Sequence, residues 1–256
     1  MDDTAEDINE HSQCYSSFFN VKLFIQTIIM RNLQCFVLFL FVTVVLSVNE
    51  DYCNLKSCKD INRTQTLCLY PDPNPGEKCG KEVKTFGPTQ KEKDMIVNTH
   101  NKMRQYVAAG KEQLGSNGPQ PKATDMKMMK WDNELEKVAQ RWANQCKFGH
   151  DSCRNVKNLI VGQNAGLVKT NGPDTIVPDN VIQAWYNEVK DFNRSDIAPF
   201  RFTPGTGHYT QLVWASSSLI GCGSIRYRLD GWNSYYLVCN YGPSGNWIGG
   251  TMYKTP

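Results

Sequence analysis

The residues best suited to chemistry lie in Gly207 to Trp214, GHYTQLVW, where a histidine heads a run of large side chains. Imidazole titrates near neutral pH and either moves a proton or ligates a metal, so His208 is a candidate for both tasks. A second block, Tyr236 to Trp247 (YLVCNYGPSGNW), closes a strand with Gly242, Pro243, Ser244 and Gly245, whose restricted or freed φ angles make a rigid turn. Ser244 would be the nucleophile of a serine-hydrolase reading. Against that reading, the chain has no G-x-S-x-G elbow and offers Ser244 no identified base. His100 is a different case. It stands beside the periodic face of a helix, where a buried hydrogen-bonding role is expected rather than ligation.

Positioning these groups takes helices and a sheet. In GHYTQLVW, Tyr209, Gln211 and Val213 alternate with Thr210, Leu212 and Trp214, so both faces are bulky or β-branched. The expectation is a strand covered on two sides, with His208 exposed at its mouth. Further strands are expected around Leu159 to Val168, Leu219 to Leu229 and Tyr235 to Asn240. Thr89-Gln90-Lys91-Glu92 is a capping box, followed by Ile96, Thr99, Met103 and Val107 at helical spacing until Gly110. Asp132 caps a second helix, with Leu135, Val138, Ala139, Trp142 and Cys146 on one face. Pro178 and Asp179 open a third, with Val181, Ile182, Trp185 and Val189 inward. This order suggests an antiparallel sheet covered on both faces.

Leu33 to Val48 is almost wholly apolar but shorter than the ~20 residues of a membrane helix. With Met30 and Arg31 before it and small residues near Ser47, it reads as a signal peptide over 30–47, cleaved after Ser47, with 1–29 a dispensable leader. The product is therefore expected to be secreted, with no stable membrane anchor. Removing 1–47 takes 2 of 28 basic and 5 of 25 acidic residues, leaving 26 against 20, or +6. That charge is thinly spread, with no basic run, which argues against nucleic-acid binding. Eight of the ten cysteines remain, an even number that implies four disulfides in an exported chain, and they lack the paired C-x2-C spacing of a structural zinc site. Asn62-Arg63-Thr64 and Asn193-Arg194-Ser195 are glycosylation sequons. Residues 48–88, with four cysteines and three prolines between Pro71 and Pro75, are expected to form an irregular cysteine-rich arm ahead of one domain over 89–256.

GHYTQLVW, CNYGPSGNW, the His100-Asn101-x-x-Arg104 helix and the eight-cysteine frame resemble the CAP superfamily, and within it the insect venom antigen 5 group. The resemblance spans roughly Asp51 to Tyr253. It implies an α/β fold, a three-layer α-β-α sandwich with a central, mainly antiparallel sheet and a disulfide-pinned N-terminal arm. It also implies the pairings Cys53–Cys68, Cys58–Cys153, Cys79–Cys146 and Cys222–Cys239. The family's cleft of two histidines and two acids maps onto His150, Gln163, Glu188 and His208. One acid is missing: Gly162-Gln163-Asn164 stands where many members have Gly-Glu-Asn, a change the antigen 5 group shares. Glutamine keeps the shape and hydrogen-bonding reach but loses a charge and a base.

The resemblance leaves no cofactor required, and a Zn²⁺ ion in the cleft, held by His150 and His208 with Glu188 orienting a ring, as the one metal to test. With Gln163 unable to act as acid or base, binding is expected over catalysis. The alternative is a metal-dependent or serine-type hydrolase using the cleft histidines and Glu188. Two kinds of partner stay open: a sterol, fatty acid or small amine in an apolar groove between helices, or a host protein on the surface. Resemblance to venom and salivary members adds an expectation of allergenicity.

Overall fold

The computed structural model of the chain describes residues 52–256; the segments expected to be a leader (1–29) and a signal peptide (30–47) lie outside them. In chain order come helices α1 (Lys56–Lys59) and α2 (Thr66–Leu69), a 3-10 turn (Glu77–Cys79), strand β1 (Glu82–Phe86), α3 (Gln90–Ala108), β2 (Lys130–Trp131) and α4 (Asn133–Ala143). Then follow β3 (Gly162–Thr170), α5 (Pro178–Tyr186), continued by 3-10 turns at Asn187–Asp191 and Arg194–Asp196, α6 (Gly207–Leu212), β4 (Leu219–Leu229) and β5 (Trp232–Gly242).

Local chemistry sets the long helices. The Thr89 hydroxyl accepts from Glu92 N while Glu92 accepts from Thr89 N, closing the capping box that starts α3. Asp132 accepts from Glu134 N and Leu135 N at the head of α4. In α5, Pro178 occupies the first turn, where no amide proton is needed.

The main path of the sheet runs β1-β4-β5-β3, all antiparallel, with β2 added in parallel to β4. Strand periodicity makes the layers. Tyr235, Leu237, Cys239 and Tyr241 of β5 share one core with Ile96, Met103 and Val107 of α3, Val181, Ile182 and Trp185 of α5, and Leu212 of α6. Tyr236 and Val238 look the other way, onto Ala139, Trp142 and Ala143 of α4. The result is a three-layer α-β-α sandwich. Helix α4 lies hard against β4 because Gly221 and Gly223 leave room: a Cβ there would stand 2.1 Å from Glu136 N and 2.2 Å from Gln140 Cα.

Three expectations change. The GHYTQL of this block is a helix, α6, not a strand, and His208 is half-buried rather than exposed. Tyr209, Thr210, Gln211, Leu212, Val213 and Trp214 are all buried, and a run buried on every side carries no period to separate helix from strand. Tertiary caps decide it, as described below. The strand expected from Leu159 begins at Gly162, because Leu159 is tied back to Val156 in a tight turn. Finally, the arm is not wholly irregular. Besides α1 and α2 it contributes β1 to the sheet edge, a strand with only Val83 half-buried and so without an apolar alternation to read.

Candidate functional site

The four residues expected in the cleft form two hydrogen-bonded pairs, His208 with Glu188 and His150 with Gln163. Glu188 sits on the turn after α5, and its Oε1 accepts from His208 Nδ1 at 2.6 Å. Its Oε2 accepts from the backbone amides of His208 (2.9 Å) and Tyr209 (3.1 Å). One carboxylate therefore caps α6, which has no side-chain cap of its own, and fixes the histidine's tautomer. Nδ1 carries the proton and Nε2 presents its lone pair. Trp185 stacks on the same imidazole, with centroids 5.7 Å apart and planes 15° from parallel.

His150 belongs to the loop between Cys146 and Cys153, and its Nδ1 lies 2.8 Å from Gln163 Oε1. The glutamine is oriented by its neighbours: Nε2 donates to Asp151 Oδ1 at 3.2 Å and Asn240 Oδ1 at 3.0 Å, while Asn240 Nδ2 donates to the Leu135 carbonyl. A carboxylate only accepts, so the amide nitrogen must face Asp151 and the oxygen must face His150. His150 is thus also held with its proton on Nδ1. Glutamate at 163 would aim a second oxygen at two acceptors, which is a physical reason for glutamine there. Burial lowers the His150 pKa below the usual imidazole value; the Gln163 hydrogen bond opposes this, and the Arg154 charge adds to it.

The N-terminal arm is fastened to the His150 loop. Disulfides join Cys79 to Cys146 and Cys58 to Cys153, one at each end of the His150 loop, and Cys53–Cys68 and Cys222–Cys239 complete the set. Between them the Thr66 hydroxyl donates to the buried Asp151, which also pairs with Arg154, and Ser152 Oγ donates to the Thr64 carbonyl. Sequence reasoning missed Thr66, Asp151 and Asn240. Thr66 meets Asp151 across 85 positions, and Gln163 meets Asp151 and Asn240 across 12 and 77, so the one local signal was an acid beside His150.

Asn164, next to Gln163 on β3, faces the opposite side, where its Nδ2 donates to the His208 carbonyl (3.0 Å) and Tyr241 Oη (3.2 Å). Tyr241 Oη donates to His100 Nε2 at 2.9 Å, and His100 Nδ1 donates to the Ile96 carbonyl at 2.7 Å. His100 is a fully buried hydrogen-bonding residue, and burial is the main reason its pKa falls to about 4 from 6.5. A histidine neutral in the fold but protonated in the unfolded chain makes stability fall as pH drops below 6.5, with the loss complete near 4. From the two pKa values this loss is about 3 kcal/mol. Denaturant midpoints between pH 7 and 4 should show it, and His100→Asn should flatten that slope; an unchanged slope would assign the loss elsewhere.

Each of the histidines His150 and His208 uses Nδ1 in its bond, leaving Nε2, the nitrogen that could ligate a metal, on the other side of the ring. Among the described residues, no group of three or more His, Cys, Asp or Glu is arranged to hold a metal. Ser244 Oγ donates to the Gly245 carbonyl at 3.0 Å, with no histidine among its hydrogen-bond partners.

A second concavity, about 500 Å³, runs between α3 and α5 and is lined by Met95, Met103, Val177, Tyr186 and the exposed Lys102. Thr99 Oγ1 donates to Asp179 there at 2.7 Å, tying the two helices. Tyr186 presents its ring to the groove while its hydroxyl donates inward to the buried Glu112. None of these lining residues was singled out as a site from sequence. Among the described residues no helix is long and apolar enough to cross a membrane.

Residues 97–241 match the cysteine-rich secretory protein family, CAP. Venom allergen 3 of Solenopsis invicta is 50% identical over 209 residues, covering 80% of this chain and 89% of that protein. Venom allergen 5 of Rhynchium brunneum is 47% identical, covering 82% and 92%. Among solved structures, NaASP2 with Zn²⁺ superposes with a TM-score of 0.55 at 31% identity, covering 66% of this chain and 88% of that one.

Proposed function

This chain belongs to the CAP family of cysteine-rich secretory proteins, and we propose that it is a secreted venom-type member that acts by binding rather than catalysis. The observation that carries this reading is the mainly apolar groove between α3 and α5, large enough for an acyl chain or a sterol, with the buried Met103 and Tyr186 in its lining and Lys102 and Asp179 as its charged groups. The cleft supports it from the other side. Ser244 donates to a backbone carbonyl, Gln163 has no titratable proton, and Glu188 is committed to His208 Nδ1 and to the amides that head α6. The ligand class is a fatty acid, a sterol or a small amine, and its kinship with venom allergens 3 and 5 extends the proposal to allergenicity.

Native mass spectrometry of the secreted protein, before and after organic extraction and chelation, tests this directly. An extractable lipid-sized mass is expected. Met95→Trp, which fills the groove, should weaken a fluorescent long-chain fatty acid at least about tenfold, the effect of roughly 1.4 kcal/mol. His208→Ala should leave that affinity within about twofold. Binding indifferent to Met95→Trp would end the groove reading and favour a host protein as partner.

A second reading rests on the paired tautomers. His150 and His208 would hold Zn²⁺ through their Nε2 atoms, as a solvent-completed site in which the ion acts as a Lewis acid. The NaASP2 structure with Zn²⁺ supports testing it. A chelator-sensitive zinc mass that disappears in both His150→Ala and His208→Ala is the required result.

A further inference from the structure

We propose that Asn62 carries an N-linked glycan and that Asn193, in the second sequon, does not. The claim rests on the reading of the chain as exported. Asn62 stands on the turn after α1, at φ 53, a left-handed position that asparagine tolerates. Ile61, Asn62, Arg63 and Thr64 are all exposed, and the Asn62 carboxamide has no hydrogen bond to any described residue. The turn is held by its backbone alone, Asn62 N to the Lys59 carbonyl and Arg63 N to the Cys58 carbonyl, so a sugar on Nδ2 displaces nothing. Beside it Ile61 is 58% exposed, an apolar surface that the first sugar can cover.

Asn193 is the opposite case. Its Oδ1 accepts from Ser195 N at 2.9 Å to cap a 3-10 turn, and Ser195 Oγ accepts from Asn117 Nδ2. The residue is half-buried between Phe192 and Asp196, both buried, and Gln120 from the 115–120 loop donates to the Phe192 carbonyl. A glycan there must pass this packed loop. At Asn62 the covalent step is a group transfer from a polyprenyl-diphosphate-linked oligosaccharide. Nδ2 bonds to the anomeric carbon, the bond from that carbon to the diphosphate oxygen breaks, the amide loses one proton, and polyprenyl diphosphate leaves.

The test is expression of the full chain in a secreting insect cell line, followed by peptide N-glycosidase, which turns a glycosylated asparagine into aspartate, and peptide mapping. Conversion at Asn62 and none at Asn193 is expected. Thr64→Val, which abolishes the sequon but leaves Asn62 in place, should remove the whole glycan mass, and Asn193→Gln should remove none. A secreted chain with bare Asn62, or with a glycan at Asn193, overturns the proposal. A chain retained in the cytosol with its signal segment uncleaved fails the export reading and, by leaving Asn62 bare, this proposal as well; the cleaved terminus separates the two failures.

Discussion

Replacing Arg104 with lysine is expected to cost about 3–5 kcal/mol of folding stability, nearly as much as alanine. Arg104 is fully buried on α3 and, among the described residues, forms no ion pair with a carboxylate. Its guanidinium donates instead to five backbone carbonyls, those of Lys127, Leu212, Trp214, Ala215 and Ser217. Burial lowers its pKa to about 9, with Tyr241 opposing, a sign of how much solvation is given up. Lysine brings three donors at a single point, so at least two carbonyls stay buried and unpaired at about 1–3 kcal/mol each. Because Leu212 closes α6, the substitution also removes the helix's far cap and loosens His208. Denaturant midpoints for the arginine, lysine and alanine forms measure this; a lysine form within about 1 kcal/mol of the parent would mean that water replaces the fork.

Removing the Cys58–Cys153 bridge by paired serine substitution is expected to cost about 2–5 kcal/mol, near the upper end because the linked residues lie 95 apart. The effect should be local as well as global. Amide exchange across 146–153 should speed up, since one end of the His150 loop is released, while α6 keeps its protection through Glu188 and Arg104. Equal acceleration in both would show that the two halves of the cleft are held as one unit.

What could be read from the chain follows where the stabilising contacts are. The heads of α3 and α4 were legible because Thr89, Glu92 and Asp132 bond within a few residues of themselves. Strand β4 was legible at both ends from its apolar content, and the role of His100 from its place on a periodic helix. The helical state of GHYTQL was not, since Glu188 and Arg104 cap it from 20 and 108 positions away. Likewise His150 and Gln163 could be placed in a cleft by resemblance, but not the reason they pair. That reason is Asp151, fastened to Thr66 of the arm and to Arg154.

The arm's attachment has a consequence for the order of events during synthesis. Cys53, Cys58, Cys68 and Cys79 all leave the ribosome before Cys146, and of these only Cys53 and Cys68 are native partners. Cys58 must stay unpaired while 95 further residues are made, roughly 5–20 s at ordinary elongation rates. During that interval Cys58 and Cys79 are the nearest available thiols to each other, and a bridge between them would keep the arm from reaching the His150 loop. Correct assembly therefore depends on oxidation slower than translation, or on reshuffling afterwards, and the arm waits for a loop made 67 to 95 residues after its own cysteines.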